Sequence, residues 1–407
     1  MRPDGWQGRG RFHMKQYEKR LDYCLKCSTC HTQCPVLENF LDFPGPKHLG
    51  PELERLRMAQ GHKIQLHIDE KLSCCTNCKR CDLACPHGVK PSVFNMHNRA
   101  RVRLSLKEKV RDWLLAHNGR WGGIASHIPA LSNLALHNPL TRLVFDVIGL
   151  APRDLPRYDT GKLKTGKALG SPKKAVYFLG CYARYNERSI AQSVINIFQA
   201  LGYQLEIAPL GCCGTPLFSN GFLAEARGLA EKNTRVLLDY IERGYKVISS
   251  CPSCTLTLKE EYRDLFALPE GEKLAQGVYD VCELLVEEGL SLTGVTSPYA
   301  SAYYHVPCHL KAQGIGTPAA ELLGQGITRE LTVSDGYCCG MAGTYGFKKE
   351  KYELSKAIGS PVFQGIMDKD YELVLTDCGT CKLQIEQNTG RKVLHPVQVM
   401  EKLIVGS

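Results

Sequence analysis

The chain has 407 residues, of which 43% are hydrophobic, and carries 51 Lys and Arg against 41 Asp and Glu for a formal charge of +10. That length corresponds to roughly two to four domains, and the composition excludes a disordered chain. Twenty cysteines, grouped in tight Cys-x-x-Cys clusters, exclude a small secreted disulfide scaffold and point to metal sites in a reducing cytoplasm.

The positive charge fits an anionic membrane surface or compensation for buried anionic clusters. Without an aromatic-basic ladder or a helix-turn-helix pattern, nucleic acid is not an expected partner. Residues 1–20 read as an N-terminal extension. Met1–Met14 contains Arg2, Arg9 and Arg11 but no following apolar run, so it is neither a secretory signal nor a membrane span, and Met14 is a second candidate start. No eighteen unbroken apolar residues occur, which predicts no transmembrane helix.

Residues 21–100 carry the first chemistry. Cys24-x-x-Cys27-x-x-Cys30-x-x-x-Cys34-Pro35 is repeated as Cys75-x-x-Cys78-x-x-Cys81-x-x-x-Cys85-Pro86, the run of bacterial two-cluster ferredoxins. Three thiols on one tight loop hold three corners of a cubane. The fourth starts a helix that leads away and ligates the other cluster. The expected sets are Cys24, Cys27, Cys30 and Cys85 for one [4Fe–4S] cubane, and Cys75, Cys78, Cys81 and Cys34 for the second. Cys74 is surplus and reads as a buried spectator. The spacer between the motifs has a turn at Pro44-Gly45-Pro46-Lys47 and a helical pattern over Glu52–Met58, so the module is predicted to be helical and ferredoxin-like.

Residues 101–170 read as a helical connection and a basic linker. One helical, basic pattern runs over Val93–Leu115. Ile124–Leu150 then presents an apolar face interrupted by Pro129 and Pro139. It suits helices covering the cluster module, and with its basic flanks it also suits a membrane surface or a membrane-bound partner. Ala151–Lys174, rich in Pro, Gly and Lys, reads as an exposed linker.

Residues 171–300 and 301–407 are predicted to be two copies of one α/β unit. Cys181, Cys212-Cys213-Gly214 and Cys251-x-x-Cys254 recur as Cys308, Cys338-Cys339-Gly340 and Cys378-x-x-Cys381. In the first copy, predicted strands Ala175–Leu179, Gln204–Pro209 and Lys246–Ser250 each end at a cysteine group. Ala302–Val306, Arg329–Val333 and Leu373–Thr376 do the same in the second. Alternation of strand and helix predicts parallel sheets, whose ligands gather at the carboxyl ends of the strands. Five thiols per crevice exceed a tetrahedral zinc site and suggest a larger iron–sulfur assembly. Gly214 and Gly340 are expected to take positive φ or to permit close backbone approach. His309 reads as a histidine packed behind the ligands, with a hydrogen-bond donor or proton relay as the alternative. Cys282 reads as a core thiol.

The doubled Cys-Cys-Gly unit behind a two-cluster module resembles a family that includes heterodisulfide reductase, the glycolate oxidase iron–sulfur subunit and the C subunit of anaerobic glycerol-3-phosphate dehydrogenase. Resemblance to the last spans nearly the whole chain after the first twenty residues. It rests on Gly45-Pro46-Lys47, Glu54-Arg55-Leu56-Arg57, Asn77-Cys78-Lys79-Arg80-Cys81, Cys338 to Glu350, Thr376-Asp377-Cys378 and Gln384-Ile385-Glu386.

The resemblance implies one or two noncubane [4Fe–4S] clusters, one held by Cys181, Cys212, Cys213, Cys251 and Cys254 and one by Cys308, Cys338, Cys339, Cys378 and Cys381. It also implies electron transfer from a flavoprotein dehydrogenase subunit, oxidising glycerol 3-phosphate or a hydroxy acid, towards quinone or a membrane-bound redox partner. The chain is then expected in the cytoplasm, peripheral on the inner face of the cell membrane. No G-x-G-x-x-G fingerprint follows a strand, so flavin chemistry is expected on another chain. The complete first set, with both Cys251 and Cys254, is similar to heterodisulfide reductase and keeps reduction of a disulfide open as the alternative.

Overall fold

The computed structural model describes residues 20–60, 70–159, 161–165, 170–292 and 299–405; the expectations for Met1–Met14 lie outside them. The N-terminal part is helical, with short helices at Thr29–Thr32, Pro35–Asn39, Leu53–Ala59, Arg80–Leu83 and Pro91–Arg99. The shortness follows from the cysteine loops, which return the chain every few residues. Pro35 sits at the first helical position after Cys34, where its missing N–H costs nothing.

Two four-stranded parallel sheets follow. The first contains β1 (Lys174–Tyr177), β2 (Gln204–Ile207), β3 (Lys246–Ser249) and β4 (Val278–Asp280) in the order β2-β1-β3-β4. The second contains β5 (Tyr299–His305), β6 (Thr328–Ser334), β7 (Leu373–Leu375) and β8 (Val393–Leu394) in the order β6-β5-β7-β8. Every pairing is parallel. Central strands are buried on both faces, which is why Ala175-Val176-Tyr177 and Val247-Ile248 are continuous apolar runs rather than alternating ones. Helix Arg188–Ala200 seals one face through Ile190, Ala191, Val194, Ile195, Ile197 and Phe198, the spacing of a helical stripe.

One apolar core runs through both repeats. Tyr177, Leu179 and Ile248 of the first pack with Tyr304, Val306 and Leu375 of the second. The other face of the first sheet, through Val176, Phe178 and Val247, shares a core with Leu21, Val36 and Phe43 of the helical module. Charge reinforces that contact, since Lys79 Nζ lies 2.5 Å from Glu261 in a buried pair, and Asp264 takes Lys90 at 2.5 Å and Arg20 at 2.9 Å.

Several local expectations change. Val93–Leu115 is not one helix: Pro91–Arg99 stops, and Leu106–Ala116 restarts behind a capping box in which Ser105 Oγ accepts from the Glu108 N–H and Glu108 accepts from the Ser105 N–H. Cys85-Pro86 opens a turn, unlike Cys34-Pro35, and the next helix waits for Pro91.

The segment read as an exposed linker is irregular where described, but its start is buried. Leu150 pairs with Lys348, and Arg153 donates to Gln384 Oε1 at 2.6 Å while lying over the Tyr352 ring. The helices Asn118–Ala125, Pro129–Leu136 and Pro139–Val147 cover the thiol sites with one side only, and leave Leu134, Leu140, Leu143 and Val147 65–76% exposed.

Candidate metal centres

The two ferredoxin-type loops share a backbone device. Lys26 and Ser28 flank Cys27 with φ of 59° and 65°, and Asn77 and Lys79 flank Cys78 with φ of 54° and 65°. Left-handed residues in such turns present N–H groups to a concave side suited to an anion. A small enclosed space is lined by Cys24, Cys27, Cys30 and Cys85. Another is lined by Cys34, Cys75, Cys78 and Cys81. Each motif therefore brings three thiols to one space and sends its fourth to the other. Burial pushes Cys30 up to about 11, with Cys24, Cys85 and Cys27 adding to it. Burial likewise pushes Cys34 up to about 11, with Cys75 and Cys30 adding to it.

In the first repeat, Cys181 lies in the first turn of the helix Gly180–Tyr185 after β1, Cys212 and Cys213 follow β2, and Cys251 and Cys254 bracket the start of the helix after β3. Their thiols act on one another in the order Cys181, Cys212, Cys213, Cys254, Cys251. The second repeat reproduces that order as Cys308, Cys338, Cys339, Cys381, Cys378, with Cys339 Sγ and Cys381 Sγ 3.1 Å apart.

The glycines serve the same end. Gly214 N–H donates to Cys212 Sγ at 3.3 Å, and Gly340 N–H to Cys338 Sγ at 3.4 Å, from φ of 96° and 80°. Neighbouring thiols and burial raise Cys212, Cys254, Cys308, Cys339 and Cys381 well above their ordinary value, while hydrogen bonds from neighbouring thiols lower Cys213 and Cys338 well below it and Cys378 to about 6. Thiols crowded in this way, four in each ferredoxin-type space and five in each repeat, resist joint ionisation until cationic iron compensates them, so the sets fit iron–sulfur clusters in donor type and convergence.

The sets adjoin one another. Cys30 acts on Cys34, Cys338 acts on Cys78, and Cys78 acts on Cys308. His309 is half-buried between them and touches no thiol by hydrogen bond; its ring nitrogens meet Ser253 Oγ and Asn77 O, each at 2.9 Å. Gly119 packs on Cys212, where an added Cβ would lie 3.4 Å from the cysteine Cβ. Phe145, Ile148 and Leu155 pack around Cys339, Cys378 and Cys381.

Cys74 accepts from Lys351 Nζ at 3.1 Å, and Cys282 lies in the core. The buried partners of Arg153 and Lys351 have no sequence pattern, because an isolated basic residue carries no signal for one.

A cysteine-rich domain profile matches residues 175–259 and 302–386, and a 4Fe-4S dicluster domain profile matches residues 20–89. The C subunit of anaerobic glycerol-3-phosphate dehydrogenase of Escherichia coli is 34% identical over 399 residues, spanning 94% of this chain and 98% of that protein. The chain belongs to the family of that C subunit. It is an iron–sulfur protein with a dicluster domain and two cysteine-rich domains.

Within the wider group it is similar to the B subunit of fumarate reductase (CoM/CoB) of Methanothermobacter marburgensis, 26% identical over 95% of this chain and 72% of that protein. It is also similar to the glycolate oxidase iron-sulfur subunit of Escherichia coli, 22% identical over 94% and 93%. Among the described residues no helix is long and apolar enough to cross a membrane.

Proposed function

We propose that this chain is the electron-transfer subunit of a respiratory dehydrogenase complex, taking electrons from a flavoprotein that oxidises glycerol 3-phosphate or a hydroxy acid and passing them towards quinone. The observation that carries this reading is the shared packing of the thiol sets, with Cys24, Cys34, Cys75, Cys78, Cys85, Cys213, Cys251, Cys254, Cys308 and Cys338 all in or against one core, and with His309 joining Asn77 of the second ferredoxin-type loop to Ser253. Cys24, Cys27, Cys30 and Cys85 would hold one cubane, and Cys34, Cys75, Cys78 and Cys81 the other. The two sets of five would each hold a noncubane cluster. Bound there, such clusters supply one-electron carriers; the protein supplies their order and excludes water from the buried thiols.

The exposed apolar residues support docking at the inner membrane surface. Leu134, Leu140, Leu143 and Val147 project from short helices beside exposed Arg120 and Arg142, the composition of an interfacial amphipathic segment. These helices lie over Cys212 and Cys339, so the docked face is the one nearest both cysteine-rich sites.

Purification with native partners tests the reading. A flavoprotein should co-purify, and reduced clusters should be oxidised by a quinone in vesicles containing anionic lipid. Absence of both results sinks it. The equal completeness of the two five-thiol sets favours a second reading, reduction of a disulfide, which requires oxidation of the reduced clusters by a disulfide in the absence of quinone.

A further inference from the structure

The two cysteine-rich sites repeat each other closely but differ in one buried ring. His305, at the end of β5, lies three residues before Cys308; Phe178 lies three residues before Cys181. Both are fully buried. Phe178 is satisfied by apolar neighbours in the core shared with the helical module. His305 is not: neither Nδ1 nor Nε2 has a hydrogen-bond partner among the described residues. One of its ring nitrogens and the Sγ atoms of Cys339 and Cys381 all lie within 4.8 Å of one another.

A buried polar ring without a partner is destabilising, and an imidazole always carries at least one N–H donor. The acceptors that the fold places beside it are sulfurs of the second site. A donor aimed at a thiolate or sulfide stabilises the electron-rich state of a cluster, because that state places more negative charge on sulfur, and so raises its reduction potential.

We propose that His305 donates a hydrogen bond to the sulfur of the cluster held by Cys308, Cys338, Cys339, Cys378 and Cys381, making it the higher-potential member of an otherwise duplicated pair. The inference rests on the reading that both cysteine-rich sites hold clusters. Electrons arriving from the cubane loop at Cys78 then collect first at the second site, and the first site, where the ring is Phe178, is filled after it. His305 acts as a positioning and tuning residue and is not a ligand.

The test is an EPR-monitored redox titration of the anaerobically prepared full chain, with the two site signals assigned by their loss in Cys254→Ser and Cys381→Ser. In His305→Phe, which copies the first site, the second-site signal should move to lower potential while the first-site and cubane signals stay in place. His305→Gln keeps an N–H donor and should move less. Phe178→His should raise the first-site signal. A second-site signal unmoved by His305→Phe overturns the proposal, as does an equal shift in His305→Gln. If His305→Phe loads no cluster, an unmoved first-site signal in Phe178→His overturns it. Iron content of the unaltered chain sufficient for the cubanes alone defeats the occupancy reading instead.

Discussion

Nε2 of His309 lies 2.9 Å from the carbonyl oxygen of Asn77, in the loop between Cys75 and Cys78. Because a carbonyl only accepts, Nε2 carries the proton and Nδ1 accepts from the Ser253 hydroxyl, also at 2.9 Å. One imidazole thereby fastens the second ferredoxin-type loop to the Cys251–Cys254 segment, next to Cys308. Removing it in His309→Leu strands the buried Asn77 carbonyl and the half-buried Ser253 hydroxyl and is expected to cost about 1–3 kcal/mol, seen as a lower denaturant midpoint. Stopped-flow oxidation of the reduced cubane signals should slow with iron content unchanged, and His309→Gln should recover part of the rate.

The crossed fourth cysteines make a prediction that a motif-by-motif reading does not. Cys34→Ser belongs to the first motif by sequence but faces Cys75, Cys78 and Cys81. It should therefore disturb the cluster signal that is also lost in Cys78→Ser, and leave the signal lost in Cys27→Ser. Cys85→Ser should do the reverse. Each variant losing the signal of its own motif would refute the crossing.

Gly214 and Gly340 occupy equivalent places but should not tolerate alanine equally. At Gly340 an added Cβ would fall 1.9 Å from the Ser355 carbonyl oxygen, whereas at Gly214 the nearest atom is 3.8 Å away and only the φ of 96° opposes substitution. Gly214→Ala should cost about 1–2 kcal/mol for a left-handed residue. Gly340→Ala adds a backbone collision and should cost more, or prevent folding. Thermal unfolding of the pair measures the difference.

His395 gives a pH dependence with a definite sign. Its Nε2 donates to the Ser250 carbonyl oxygen at 2.9 Å and its Nδ1 accepts from the Val397 N–H at 3.2 Å, so the buried ring is neutral and burial lowers its pKa to about 4. The unfolded chain binds this proton near pH 6.5, so the contribution is fully present above that value and is lost as pH falls towards 4. By linkage the loss amounts to about 3 kcal/mol at most. His395→Gln should flatten the fall in urea midpoint between pH 7 and pH 4.

The strands that end at cysteines were legible because apolar runs, glycine and cysteine coincide there, and the observed β1, β2, β3, β5, β6 and β7 lie at the expected places. β4 and β8 have three and two residues, too few for periodicity to register. The break at Ala100–Ser105 went unread although Ser105 and Glu108 form a capping box, because the apolar spacing continues across it. The helices after Asn118 illustrate a different limit. Sequence supplies an apolar face but not its occupant, and only the fold separates Gly119 and Phe145, turned towards the thiol sites, from Leu140 and Val147, turned outward. His305 likewise looks like any polar residue in a strand until Phe178 is seen in the same place.

The core that runs through both repeats means that the duplication is not modular. Tyr177 holds Ser250 at 2.6 Å beside Cys251, Tyr304 holds Asp377 at 2.5 Å beside Cys378, and His395 of the second repeat reaches back to Ser250 of the first. Each thiol site is thus built partly on masonry laid by the other half. Excising or exchanging one repeat would open the wall of both chambers, so the two halves have to be engineered as a single piece.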